Sequence, residues 1–86
     1  MKDTERVLKA LANKRRLAIL KYLQKTGTAK VGAIAEEIKL SFKATSRHLV
    51  VLYAAELVAR EQIGLTMNYQ LAKPLHLITS KVLSIV

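Results

Sequence analysis

The chain has 86 residues, 51% of them hydrophobic, which is enough for one domain with a modest core and too few for two. Cysteine is absent, which excludes disulfides, thiolate metal sites and a cysteine nucleophile, and no apolar run approaches the roughly 20 residues that cross a bilayer. The net charge is +9, and residues 1–47 carry +8 of it, an asymmetry that suits a polyanionic partner such as nucleic acid.

The first two predicted helices are bounded by residues that favour helix ends. Asp3 or Thr4 can cap a first helix over residues 3–12, because their side-chain oxygens accept hydrogen bonds from unpaired backbone N–H groups. Asn13 can cap a second helix in the same way. Gly27 is expected to end that helix, since glycine adopts a left-handed conformation at little cost.

A helix-turn-helix is predicted next. Thr28 is expected to cap a third helix, and Ser41 a fourth helix that runs from Phe42 to about Ala55. The third helix has apolar residues at helical spacing, which are Val31, Ile34, Ala35 and Ile38. Two short helices separated by a few residues, the second with a new cap, are typical of this motif.

After the fourth helix the pattern changes from helical spacing to alternation. Residues 57–63 and 66–71 alternate around Gly64 and predict a β-hairpin. Pro74 can open a last helix over residues 74–86, where its missing N–H costs little. Four helices, two strands and a fifth helix predict a mainly α fold with a small β-hairpin, the winged helix-turn-helix.

The fourth predicted helix has an inner and an outer face. Its inner face, expected to pack on the third helix, consists of Thr45, Leu49, Leu52, Tyr53 and, at the edge, His48. The outer face has its polar groups in the first two turns, where a recognition helix meets base edges. Arg47 and Lys43 suit guanine or phosphate. The predicted DNA-binding residues of this helix and its cap are Ser41, Phe42, Lys43, Ser46 and Arg47.

A second group of residues is predicted to contact phosphate or the minor groove. Thr28 and Lys30 lie at the predicted start of the third helix, where backbone N–H groups and the helix dipole attract a phosphate. Arg60, Thr66 and Asn68 belong to the predicted hairpin. They are expected to touch sugar and phosphate or the minor groove, with polar residues on a solvated outer face as the alternative.

Two other side chains have more than one interpretation. Arg16 could bind a phosphate at the edge of the site, or it could pair with Glu36 or Glu37 inside the fold. His48 is expected to be a hydrogen-bonded structural residue, with a phosphate contact as the weaker alternative.

The last predicted helix is apolar on nearly every side, and Lys81 is its only charge, too few for a membrane-surface helix. A monomer rarely exposes so much apolar surface. We therefore expect the terminal helices, residues 3–12 and 74–86, to form a dimer interface. Its predicted residues are Leu8, Leu11, Leu75, Ile78, Val82 and Ile85.

Two segments resemble the ArsR family of winged-helix repressors: LKALANKRRLAIL at residues 8–20 and AIAEEIKLSFKATSRHLVVL at residues 33–52. The similarity extends roughly from Val7 to Leu71. The resemblance implies a homodimer whose two recognition helices enter successive major grooves of an operator, and which releases DNA when a metal or another signal arrives.

The sequence departs from the family pattern at the metal sites. Metal-sensing members often carry cysteines at the start of the third helix, or Asp and His residues on the last helix. Here residues 29–32 are AKVG and the last helix has His76 alone. Since a transition metal normally takes three or four N, O or S ligands, we predict no metal site and no cofactor. Glu56 replaces a usual glycine, which implies slight strain if the left-handed conformation is kept.

These observations predict a sequence-specific DNA-binding transcriptional regulator, a homodimeric repressor without a recognisable metal site, cytoplasmic and built as one domain over residues 1–86. Its expected partners are double-stranded operator DNA, a second copy and an unknown small-molecule or protein effector, with no membrane contact. The alternative is a protein-interaction module that docks through the apolar last helix. An enzyme is disfavoured, because Ser46 and His48 diverge on a helix and the six acids suggest no catalytic pair.

Overall fold

A computed structural model describes residues 2–86; Met1, which the predicted 1–86 domain includes, lies outside the described residues. The elements are α1 Lys2–Leu11, α2 Lys14–Thr26, β1 Thr28–Lys30, α3 Val31–Ile38, α4 Phe42–Ala54, β2 Val58–Ile63, β3 Thr66–Leu71 and α5 Leu77–Ile85. Their order confirms the predicted mainly helical winged helix-turn-helix. The sheet is larger than predicted by one strand.

Helix α2 begins and ends where the sequence predicts. The Asn13 side-chain oxygen Oδ1 accepts hydrogen bonds from the backbone N–H groups of Arg15 and Arg16, at 2.9 and 3.0 Å. Gly27 has a φ of +84°, and its N–H donates to the Leu23 carbonyl at 2.8 Å. Both ends are thus determined by local hydrogen bonds that short sequence patterns indicate.

Helix α1 begins one residue before the predicted cap. It starts at Lys2, so Asp3 and Thr4 lie inside its first turn and do not cap it. The Asp3 carboxylate at this position interacts favourably with the positive end of the helix dipole.

Helix α5 begins later than predicted, and Pro74 does not open it. The helix starts at Leu77, because His76 is its N-cap: the His76 ring nitrogen Nδ1 accepts a hydrogen bond from the Ile78 N–H at 3.2 Å. The side-chain acceptor satisfies a backbone donor that would otherwise lack a partner. The residues between Pro74 and His76 connect the sheet to this helix.

The prediction that Thr28 caps the third helix is wrong. Residues 28–30 form strand β1, which pairs antiparallel with β3, and the strand order is β1-β3-β2. Ala29 is buried opposite Tyr69, while Thr28 and Lys30 are exposed. The strand gains backbone hydrogen bonds from residues about 40 positions away, so helix α3 begins later than predicted, at Val31.

The predicted β-hairpin is present as β2 and β3, which we call the wing (residues 58–71). The two strands pair from Val58 opposite Leu71 to Ile63 opposite Thr66. Leu57, predicted as the first strand residue, is instead fully buried in the turn that precedes β2. This turn anchors the wing to the core.

The core is built around α2, which contacts α1, α3, α4, α5 and the sheet. The large, fully buried apolar side chains of the core are Ile19, Leu20, Leu23, Ile34, Leu49, Leu52, Leu57 and Leu83. The predicted inner stripe of α3 is confirmed, since Ile34, Ala35 and Ile38 are buried and Val31 lies at the edge. Across residues 2–86, every helix is too short or too polar to cross a membrane.

Candidate nucleic-acid interface

The turn between α3 and α4 holds the two helices in a defined geometry. Lys39 ends α3 in the left-handed conformation with φ at +56°, and the Leu40 N–H donates to the Ala35 carbonyl at 3.0 Å. The predicted N-cap of α4 is confirmed, because Ser41 Oγ accepts a hydrogen bond from the Ala44 N–H at 3.1 Å. The side-chain cap of Ser41 therefore defines where α4 starts, and the backbone bond of Leu40 defines how the chain leaves α3.

Helix α4 buries one face and exposes the other. Thr45, Leu49 and Leu52 are fully buried on the inner face. The outer face, which we call the recognition face, consists of Phe42, Lys43, Ser46, Arg47 and Val50. All of these are exposed except Ser46, which is half-buried. The structure thus brings the predicted recognition-helix residues together, with two cations in the first two turns.

Tyr53 does not lie on the inner face, and that prediction is wrong. Its side chain is 43% exposed, and the Arg60 guanidinium lies 3.9 Å from the centroid of the Tyr53 ring. The nearby Tyr69 side chain, with a smaller effect of Tyr53, raises the pKa of Arg60. This cation–π contact connects the wing to the last turn of α4. Helical spacing groups Tyr53 with the apolar residues of α4. It gives no information about Arg60, which lies in strand β2.

The five residues predicted to contact phosphate or the minor groove do not share one surface. In antiparallel pairs, opposite residues lie on the same face of the sheet. Lys30 is opposite Asn68, so these two share the outer face with Thr66 and Thr28, which lie at even spacing along the same strands. Arg60 is opposite the buried Tyr69 and belongs to the other face.

Arg16 does not pair with Glu36 or Glu37, and its contacts lie elsewhere in the fold. Its guanidinium donates to the carbonyls of Ala10 at 2.6 Å and Lys9 at 3.0 Å, and it approaches the His48 ring nitrogen Nδ1 at 3.3 Å. Arg16 therefore caps the C-terminus of α1 and ties it to α4. The structural interpretation of His48 is confirmed. Burial and then the charges of Arg16 and Arg15 lower the pKa of His48.

Arg15 was missed by sequence reasoning. Its guanidinium nitrogen Nη1 donates to the Ile38 carbonyl at 2.9 Å, which satisfies the C-terminus of α3 just before the turn. A basic residue after a cap carries no sequence signal for this contact, because its acceptor lies 23 positions along the chain. Two adjacent arginines thus hold the ends of α1 and α3.

The terminal helices differ from the predicted interface in one respect. Leu11 is only 5% exposed and lies in the chain's own core, so it offers little surface to a second subunit. Three other predicted residues, Leu75, Ile78 and Val82, are half-buried against that core. The large side chains that remain exposed, which we call the terminal apolar residues, are Leu8, Leu77, Ile85 and Val86.

In the described part of the chain, residues 2–86, no three His, Asp or Glu side chains converge to hold a metal ion. The candidate interface therefore consists of the recognition face of α4 with its basic side chains and the wing that follows it. A helix-turn-helix whose second helix exposes polar and basic side chains, followed by a wing packed on the end of that helix, defines a winged helix-turn-helix DNA-binding protein.

The sequence profile described as "Bacterial regulatory protein, arsR family" matches residues 13–60, more than half of the chain. The chain belongs to the ArsR family: it is a DNA-binding transcriptional regulator and not an enzyme. The resemblance and fold predicted from the sequence are thus confirmed. No relative is found among curated protein sequences.

Solved structures agree with this assignment over almost the whole chain. Mb0332 from Mycobacterium bovis, described as a homodimeric winged helix-turn-helix DNA-binding domain, is 32% identical with a TM-score of 0.87, covering 98% of this chain and 78% of that one. NolR from Sinorhizobium fredii is 34% identical with a TM-score of 0.83, covering 96% and 79%. HlyU from Vibrio cholerae is 30% identical with a TM-score of 0.82, covering 98% and 87%.

Proposed function

We propose that this regulator is a homodimeric repressor that reads a two-fold operator with the recognition face of each subunit. The observation that carries the proposal is the pairing of a polar, basic recognition face with apolar residues exposed on both terminal helices. The first surface suits DNA and the second suits another copy of the chain. One domain can therefore supply half of a symmetric DNA-binding unit.

The dimer contact is proposed at the terminal apolar residues. Leu77 is 70% exposed and Ile85 is 81% exposed, on a helix that packs against α1. Removing such side chains from water stabilises an interface by about 25 cal/mol per Å² of apolar area. Mb0332, which shares the fold at 32% identity, is described as a homodimer, and this supports the same assembly here.

The DNA contacts are proposed mainly on the recognition face. Arg47 can donate two hydrogen bonds to guanine or to a phosphate, and Lys43 adds charge one turn earlier. The start of α4 also contains Ser41, Phe42 and Ser46. The two hydroxyl groups are proposed to bind base edges, and the Phe42 ring a thymine methyl group.

The second contact region is proposed on the sheet. Lys30, Thr28, Thr66 and Asn68 lie on its outer face, where they can bind sugar and phosphate groups. Arg60 lies apart from this set, on the other face of the sheet, where its exposed guanidinium stacks on Tyr53 and can still donate to a phosphate.

Repression follows from occupancy. A dimer that covers two half-sites about one helical turn, roughly 10–10.5 base pairs, apart blocks access of polymerase to an overlapping promoter. A reporter with the operator placed across a promoter tests this directly. Lower transcription with the wild-type chain than with Arg47→Ala is expected, and higher transcription would contradict the repressor role.

Assembly is tested by sedimentation at several protein concentrations, with Ile85→Asp as the disrupting variant and Ile85→Met as the matched apolar control. We expect a dimer for the wild type and for Ile85→Met, and a monomer with weaker operator binding for Ile85→Asp. A wild-type monomer that binds a single half-site as tightly as a full operator would overturn the proposal.

A further inference from the structure

A groove lies between α1 and α4, beside the recognition face. Its volume is about 570 Å³, which is within the usual range for small-molecule sites. Helix α4 lines it with Val50, Val51 and Ala54, and α1 contributes Ala10. Val50 is 58% exposed and Val51 is 41% exposed, so two adjacent branched apolar side chains are in contact with water. A ligand that covers them gains free energy from the burial of apolar surface.

The α1 side of the groove is basic. Two exposed cations, Arg6 and Lys9, line it together with one acidic residue, Glu5. The Arg6 nitrogen Nη1 donates to the Ala54 carbonyl at 3.4 Å, a long hydrogen bond that joins the two walls of the groove. Because a guanidinium has five N–H donors, Arg6 can bind a carboxylate in addition. The rim of the groove therefore attracts an anion.

The groove adjoins the DNA-binding surface and lies apart from the proposed dimer contact. Val51 follows Arg47 by four residues, so the two side chains are neighbours on α4. On α1, Leu8 is the residue proposed for the dimer. At about 100° per residue, Leu8 lies roughly 160° around the helix from Arg6. A ligand in the groove is therefore next to Arg47, while the terminal apolar residues remain accessible to a second subunit.

We propose that this groove binds an amphipathic monocarboxylate with an aliphatic tail of medium length, and that the bound ligand opposes operator binding. The tail covers Val50 and Val51, and the carboxylate accepts hydrogen bonds from Arg6 and Lys9. The carboxylate places negative charge beside Arg47, where the operator is expected to bind. The ligand and the DNA then each lower the affinity for the other by the same factor. This inference rests on the proposed function and deepens it, because it assigns a class of effector.

The first test measures ligand binding to the full chain without DNA, by isothermal titration calorimetry. Octanoate is the probe, octanol has a similar tail without the charge, and acetate has the charge without the tail. Octanol is expected to bind about fivefold more weakly than octanoate, since the charge-assisted hydrogen bonds are missing. Acetate is expected to show no measurable binding, because it buries little apolar surface. Equal affinities for octanoate and octanol would overturn the role of the basic rim.

Substitutions in each wall of the groove test its assignment. Arg6→Gln is expected to weaken octanoate binding about fivefold, whereas Lys25→Gln, which removes the same charge from a groove between α2 and α3, leaves it unchanged. Val51→Gln is also expected to lose about fivefold, while Val51→Ile keeps the apolar wall and stays within about twofold. Thermal unfolding checks that each variant is folded. Wild-type affinity in either Arg6→Gln or Val51→Gln overturns the site.

Amide chemical shifts in NMR spectra locate the ligand independently of any substitution. Octanoate is expected to cause its largest shifts in residues 5–10 and 50–54, which contain both walls of the groove. Largest shifts at the terminal apolar residues would place octanoate in the dimer contact and overturn the proposal. The same holds for largest shifts around Lys25, in the groove between α2 and α3.

The effect on DNA is measured by fluorescence anisotropy with a duplex that the wild-type chain selects from a random library. Saturating octanoate is expected to weaken operator binding about tenfold. Arg6→Gln is expected to need about fivefold more octanoate for the same effect. Operator affinity that saturating octanoate leaves unchanged would overturn the effector role. If the wild type selects no duplex or forms no dimer, the proposed function itself fails, which is a different result, because octanoate binding is measured without DNA.

Discussion

The recognition helix and the wing meet at Glu56, yet they expose different chemistry and are held by different forces. The outer face of α4 carries Lys43 and Arg47, while the wing tip carries Ile63 and Leu65. The helix is positioned by its cap and its buried inner face, and the wing by a turn and a cation–π contact. Charge and apolar surface are thus separated on two elements that contact each other.

The basic net charge of the chain is not distributed evenly between the recognition helix and the wing. Residues 1–47 hold nearly all of the +9, and they include the turn and the first half of α4. The wing follows in the nearly neutral remainder. The salt-dependent part of the affinity is therefore expected to come mainly from residues 1–47.

The largest expected effect belongs to the helix. Arg47→Ala is expected to weaken operator binding by about 1–3 kcal/mol and to relax specificity at one base position, because a bidentate donor is lost. Arg47→Lys is the control that keeps charge without the fork, and it should recover non-specific binding but not specificity. Fluorescence anisotropy with operator and random duplexes measures both. An Arg47→Ala variant with wild-type operator affinity would show that the recognition face is assigned incorrectly.

The second-largest effect is expected from substitution of Glu56, which lies between the recognition helix and the wing. Glu56 has a φ of +60°, a conformation that costs a side chain roughly 1–2 kcal/mol and that glycine adopts readily. Glu56→Gly is expected to raise the free energy of unfolding by about 0.5–1 kcal/mol, with the entropy of glycine offsetting part of the gain. Glu56→Ala keeps the strain and serves as the control. Chemical denaturation checks the difference, and equal stability of both variants would contradict it.

The contact between the recognition helix and the wing tests whether they act as one unit. Tyr53→Ala removes the ring under Arg60 and is expected to weaken operator binding by about threefold, without a change in the slope of log Kd against log salt. Tyr53→Phe keeps the ring and should bind like the wild type. Should Tyr53→Ala reduce that slope to the same extent as Lys43→Ala, which removes a charge, Arg60 would instead be a phosphate ligand.

The smallest expected effect lies on the inner side of α4. Burial and the charges of Arg16 and Arg15 lower the pKa of His48, so the folded state favours the neutral ring. The resulting stabilisation is present above the ordinary pKa of about 6.5 and is lost as the pH falls through the lower folded-state pKa. Unfolding of the wild type and His48→Gln at about pH 7.5 and about pH 5.5 should show a smaller difference between them at the lower pH. A difference that grows on acidification would contradict this sign.

Much of the fold could be predicted because its signals are local. The caps at Asn13 and Ser41, the stop at Gly27 and the turn at Gly64 each depend on a few adjacent residues. The outer face of α4 could also be predicted, since helical spacing places Lys43 and Arg47 on one side.

The features that escaped prediction depend on contacts between distant residues. Strand β1 forms because β3 supplies its hydrogen bonds. The local sequence around Thr28 instead predicts a helix cap, because it contains no information about β3. Tyr53 is exposed at the end of α4 and contacts Arg60 from strand β2, while Leu11 is buried because the core closes around it. The order of the five helices and the hairpin, the caps at Asn13 and Ser41 and the polar face of α4 follow from the amino-acid sequence, since they depend on hydrogen bonds and periodicity over a few residues. Which apolar residues remain exposed depends on the tertiary structure, because burial is a property of the packed chain.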